Sequence, residues 1–238
     1  MAVNLKAKGR QSTTIARETE GSDVFLRALR DGSLVGVDWK QAAIFAGYGY
    51  RVTVGALSTG IVGGGNGTTV TIAEPEMCLS IPNGTSIMPL RVAVQVQAGA
   101  PTDAQEAEIL VAVDQDTDLG AVSVANSDKT TEVIYNMNTL CGSSSGCACY
   151  SAFTSSISTD PVLDIELARK VVEFEVIGSA GILTAEYGLI LDLVYEPEAP
   201  PIINGPAMLL IYWGGDAATV GGFAEVQWVE RSESDFTL

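Results

Sequence analysis

The stretch RVAVQVQ, residues 91–97, sets Val92, Val94 and Val96 on one side of an extended chain and Arg91, Gln95 and Gln97 on the other. A period of two fits a strand with one wet face and is incompatible with an amphipathic helix. The pattern returns in VVEFEVI (171–177), where Val172, Phe174 and Val176 point in and Glu173 and Glu175 point out. It recurs in EYGLILDLVY (186–195), with Tyr187, Leu189, Leu191, Leu193 and Tyr195 on a shared side, and in FAEVQWVE (223–230), with Ala224, Val226 and Trp228. Further strands are expected over 51–57, 68–73, 76–81, 107–114, 132–138 and 207–213, parted by Gly, Pro, Asn and Asp. About eight to ten strands in this order imply an all-β fold, an antiparallel two-sheet sandwich of the jelly-roll or Greek-key kind. A chain of 238 residues can bury such a core as one domain.

The texture differs before residue 50. SDVFLRALRDG (22–32) offers a Ser or Asp cap, apolar residues at Val24, Phe25, Leu26 and Leu29, and a closing Gly32; DWKQAAIFAG (38–47) starts at Asp38 and stops at Gly47 in the same way. Both predict short helices. DPVLDIELARK (160–170) opens with Asp-Pro and predicts another. The chain therefore divides into an N-terminal arm with short helices over 1–49 and a jelly-roll-like β-sandwich over 50–238, without internal repeats. MAVNLKAKGR carries no apolar segment behind its basic residues, and AMLLIYW (207–213) is too short to cross a bilayer, so neither a secretory signal nor a membrane span is expected. The two NGT sequons, at Asn66 and Asn83, read as tight turns.

Charge is distributed unevenly. Residues 1–17 carry Lys6, Lys8, Arg10 and Arg17 and no acid, whereas residues 41–238 hold 6 basic and 24 acidic side chains, a net of −18. Such a body repels phosphate, which argues against a nucleic-acid-binding domain. Histidine is absent. Serine and cysteine nucleophiles usually rely on a histidine base, and catalytic zinc on histidine ligands, so the composition argues against an enzyme and leaves only carboxylate chemistry open.

Several stretches invite a site. CGSSSGCAC (141–149) gathers Cys141, Cys147 and Cys149, with Cys78 63 residues upstream of the first. The spacing is not that of a zinc finger; a metal site built from all four and a disulfide between Cys141 and Cys147 are the alternatives to a flexible small-residue loop with half-buried thiols, which the composition favours. In VDQDTDLG, Asp114, Asp116 and Asp118 alternate like the start of a calcium loop. Leu119 stands where an EF-hand needs its turn glycine and Ala125 where it needs a bidentate glutamate, so that motif is excluded, leaving a looser calcium site or a solvated acidic turn. IVGGGNGTT (61–69) lacks the lysine of a phosphate loop and reads as a hairpin loop. Glu173, Glu175, Glu186 and Asp192 offer paired carboxylates of the glycoside-hydrolysis type, although any wet sheet face exposes such acids. Tyr212, Trp213 and Trp228 suit a sugar-stacking platform or, better, a core. No cofactor is implied.

A basic arm and short helices ahead of a glycine-rich sandwich, with neither histidine nor a catalytic cluster, resemble single jelly-roll virion proteins, either capsid subunits or the decoration proteins that cement bacteriophage heads. The resemblance lies in layout over the whole chain. It implies a homo-oligomer, a trimer or larger ring, that exchanges arms between neighbours and stands on a capsid shell protein, with Lys6, Lys8, Arg10, Arg17, Val24, Phe25 and Leu29 as the assembly arm. The outward charge of the body favours decoration over a principal coat. The rival reading is a carbohydrate- or receptor-binding module of fibre or adhesin type, recognising its ligand through loops 60–67 and 140–150. Clustering of Tyr48, Tyr150 and Phe153 in the open would favour it.

Overall fold

The computed structural model describes residues 38–56, 59–63, 70–98, 105–119, 125, 128–174, 189–215 and 220–235. These form two antiparallel sheets and one short α-helix, an all-β architecture. One sheet runs in the order β10 (Leu189–Tyr195), β4 (Thr85–Ala98), β13 (Val220–Ser232), β1 (Gly49–Val54) and β7 (Tyr135–Asn136), with β11 (Ile203–Asn204) on β4 and β2 (Ile61–Val62) on β13. The other runs β6 (Thr130–Glu132), β8 (Ala148–Ser151), β3 (Met77–Ile81), β12 (Ala207–Gly215), β5 (Gln105–Gln115) and β9 (Ile165–Phe174). Successive long strands change sheet at every step except β5 to β9, which pair within the second: β1, β4, β10 and β13 lie in the first sheet and β3, β5, β9 and β12 in the second.

The period of two explains the core. Val52 and Val54, Val92, Val94 and Val96, Leu191 and Leu193, and Ala224, Val226 and Trp228 are buried in the first sheet. They join one cluster with Met77, Leu79 and Ile81, Ile109, Val111 and Val113, and Leu209, Ile211 and Trp213 from the second. Burying a Val or Leu side chain contributes about 1.5–3 kcal/mol, so this interlayer holds the sheets face to face. β12 is apolar on both faces because its other face is also covered. Met208, Leu210 and Tyr212 pack with Cys78, Leu110, Leu119 and Ile157 under a layer that includes Val70, Phe153 and Leu163. There the Tyr212 hydroxyl donates to Ile72 O at 2.8 Å.

The helix α1 (Trp39–Phe45) lies within the predicted 38–47, following Asp38 and ending before Gly47 at φ +83°. Asp38 occupies the cap position without a side-chain cap bond. Ala43 packs on Leu90 and Val229, on the outer face of the first sheet. A register shift brings them there: Gln227 pairs with Arg91 but Trp228 pairs with Pro89, so Leu90 is an extra residue and the alternation of β4 changes phase at it. Ile87 and Val92 can then both face inward while Leu90 faces the helix.

Four expectations need correction. Residues 160–170 are not helical: 161–164 is irregular and Ile165–Phe174 is strand β9, the edge of its sheet, paired with β5. Ile165 and Leu167 pack on the core while Glu166 is exposed, and a register shift opposite Val111/Ala112 then turns Ala168 and Val172 inward. Pairing with β5 overrides the helix-start signal at Asp160-Pro161. Residues 132–138 are two strands in different sheets, since the chain leaves β6 and enters β7 through Val133–Ile134. Within 68–73, the described residues 70–73 are irregular, held by Ile157 N donating to Ala73 O. Strand 51–57 stops at Val54 because Gly55 takes φ +97°, and an added Cβ there would meet Phe223 Cδ1 at 2.5 Å.

Candidate functional site

At the end of the sandwich where β1 begins, the small-residue loop 141–147 meets α1 and β13. Its lack of bulk lets it lie flat, and side chains from three elements hold it. Glu230, on β13, accepts from Ser145 Oγ at 2.5 Å, Gly146 N at 2.7 Å and Trp228 Nε1 at 3.3 Å. Ser145 Oγ in turn accepts from Cys147 N at 3.0 Å. Tyr50 OH donates to Ser144 O at 3.2 Å, and Asn136 Nδ2 donates to Gly47 O at 2.8 Å and Ser143 Oγ at 3.0 Å. Gly47 is close-packed here: an added Cβ would meet Cys141 Sγ at 2.3 Å. The Tyr50 and Trp228 rings stack beneath, with centroids 6.0 Å apart.

All four cysteines are free thiols, so the Cys141–Cys147 disulfide is not formed. Cys147 and Cys149 sit in the core between the sheets and Cys78 in the cluster on the outer side of the second sheet, so the half-buried reading holds for Cys141 alone. Burial pushes the thiols of Cys78, Cys147 and Cys149 up, whereas hydrogen bonds from the Ser143 hydroxyl and backbone lower that of Cys141. Among the described residues no three Cys, Asp or Glu side chains are grouped to hold a metal ion, which includes the proposed Cys set and Asp114, Asp116 and Asp118. Asp114 is instead a tie beneath the 160–164 segment, accepting from Val162 N at 2.9 Å, while Asp164 accepts from Gln115 N at 2.8 Å. Burial, with Asp164 and Asp116 nearby, raises the Asp114 carboxyl above its usual range.

The other sequence candidates disperse. Asp192 is exposed on β10, its backbone carbonyl accepting from Lys170 Nζ at 2.6 Å; Glu175 and Glu186 lie outside the described residues, as does the Glu173 side chain. Tyr212, Trp213 and Trp228 are wholly buried. Tyr150 and Phe153 pack on the outer cluster of the second sheet, whereas Tyr48 lies under the Arg231 guanidinium, 3.8 Å from its ring centroid, so the three form no platform. Asn83 does sit in a tight turn, closed by Thr85 N donating to Pro82 O; Asn66 lies outside the described residues. So do the arm residues Lys6, Lys8, Arg10, Arg17, Val24, Phe25 and Leu29.

Two surfaces went unread in the sequence. On the outer face of the first sheet, beyond α1, Thr53, Arg91, Gln95, Asp192, Val194 and Phe223 line an open groove of about 470 Å³. Arg91 pairs with Glu225 there at 3.6 Å. On α1, just after it and along the 133–140 segment tied to it, six large apolar side chains are exposed: Trp39, Phe45, Tyr48, Val133, Tyr135 and Leu140, the last 97% exposed. Asn138 binds their segments together, its Nδ2 donating to Phe45 O at 3.0 Å, as does Met137 N donating to Gly49 O at 2.8 Å. Among the described residues no helix is long and apolar enough to cross a membrane. No family model matches the chain, nor does any curated protein or solved structure.

Proposed function

We propose that the protein is a virion structural subunit, a capsid decoration or capsid protein that builds on a jelly roll and acts by repeated contacts with copies of itself and with a shell. The observation that carries this reading is the strand order. The sets β1-β13-β4-β10 and β3-β12-β5-β9 are what results when four antiparallel pairs, β1/β13, β3/β12, β4/β10 and β5/β9 among their pairings, wrap as two interlocked Greek keys. A second support is the charge division, a basic amino-terminal arm ahead of a strongly acidic body. An arm of this kind gains order on an acidic neighbour, and many modest contacts then give avidity without a single tight site. The carbohydrate-binding alternative loses its main support with the separation of Tyr48 from Tyr150 and Phe153. Light scattering on the full chain and on residues 21–238 tests the proposal. A stable oligomer that falls to monomer without its arm supports it, and a full-length chain that stays monomeric overturns it.

A further inference from the structure

The exposed apolar residues on and beside α1 are flanked by Asp38 and Glu132, but two cations stand among them as well. Tyr135 on β7 pairs with Arg51, so their side chains share a face, and Lys40 lies on α1 beside Trp39. Among the described residues neither Arg51 nor Lys40 makes an ion pair. Patch and cations together mark the β6–β7 edge of the sandwich. At the opposite edge β9 and β10 end their sheets and meet, Lys170 reaching across to Asp192 O. There the loops after β5 and β10 and before β9 expose Asp116, Asp160, Asp164, Glu196 and Glu198. The basic side chains nearest them, Arg169 and Lys170, are already engaged, Arg169 by Glu108 and Glu166 at 2.6 and 2.8 Å.

We infer that the apolar, cationic β6–β7 edge docks on the acidic β9–β10 edge of a second copy of this chain. The inference rests on the assembly reading and names the surfaces that reading requires. A nearly fully exposed leucine together with four exposed aromatics is the composition of an interface core, and Arg51 and Lys40 supply a rim complementary to the partner's carboxylates. Because the two edges lie on opposite sides of one subunit, the contact is head-to-tail, and repetition of it generates a ring where the rotation closes and an open filament where it does not.

The test is a mixing experiment read by analytical ultracentrifugation. Phe45→Asp/Leu140→Asp destroys the patch and keeps the acidic edge; Asp116→Asn/Asp160→Asn/Glu196→Gln/Glu198→Gln does the reverse. All six positions are exposed, so circular dichroism melting should match the wild type. Loss of two apolar anchors should raise the dissociation constant roughly 100-fold. Each variant alone should be monomeric, and their mixture should form dimers and nothing larger, because one intact patch then faces one intact edge. A quadruple variant that still assembles fully overturns the inference. So does a wild-type oligomer untouched by Phe45→Asp/Leu140→Asp, the result expected were the patch covered by the chain's own residues 1–37 or by a different protein; the assembly reading survives either. A wild-type monomer sinks both.

Discussion

Removing the Glu230 carboxylate should release the cysteine-rich loop. In Glu230→Ala, Ser145 Oγ, Gly146 N and Trp228 Nε1 lose their shared acceptor. Hydrogen bonds to a charged group contribute about 1.5–3 kcal/mol each. The loop donors can turn to water, since Glu230 is only half-buried, whereas Trp228 is wholly buried and its indole N–H is left without a partner. The expected cost is therefore below the roughly 4.5 kcal/mol that the low end gives for three such bonds, about 3 kcal/mol. For a chain of this size that lowers Tm by roughly 6–12 °C. Cys147, 7% exposed and held through Ser145, should become alkylable at a rate that follows loop opening. Thermal melting and mass spectrometry after iodoacetamide measure both. Ser145→Ala, which removes one of the three bonds to Glu230 and the acceptor of Cys147 N, should cost about 2 kcal/mol. An unchanged Tm together with a protected Cys147 in Glu230→Ala would refute the claim that this carboxylate pins the loop.

Three shorter expectations follow. Gly222→Ala should destabilise by about 1–3 kcal/mol, because an added Cβ would meet Trp213 Cε2 at 2.4 Å in a close-packed core; denaturant unfolding measures it, and a neutral result would mean that the Trp213 indole can move. Asp114→Asn should be neutral or stabilising at pH 7 and lose that advantage in acid. The folded-state carboxyl titrates above its unfolded value, so the native state binds more protons and stability falls as pH rises from about 4 through the folded pKa; unfolding midpoints across that window test the sign, and a larger deficit of the variant at neutral pH would reverse it. Native protein should offer one fast thiol, Cys141, and three slow ones, since Cys78, Cys147 and Cys149 are buried; equal rates in a thiol titration would contradict the burial.

Much of the sheet architecture is legible from alternation alone. The inward positions of 92–96, 191–193 and 224–228 are where period two puts them, because burial of one face leaves a strand a single register. The alternation fails where the backbone leaves the simple pleat. Pro89 and Leu90 hide the first turn of β4, since the extra residue reverses the phase that 91–97 displays. The helix expected over 160–170 is lost to pairing with β5, which no local signal records. Glu230 is a residue that sequence could have singled out: it shares the inward parity of Val226 and Trp228, and a carboxylate placed there requires donors. Leu140 and Phe45 carry no such signal. An apolar residue in a turn or at a helix end looks the same in sequence whether a core covers it or solvent meets it, and only the path of the neighbouring segments decides.

The most direct test of the assembly account is an electron-microscopy reconstruction of the purified full-length oligomer. The account predicts a ring or filament in which each β6–β7 edge abuts a neighbour's β9–β10 edge and residues 1–20 lie along that neighbour. Isolated monomers, or a particle whose subunits meet through other faces with arms folded on their own bodies, would contradict it.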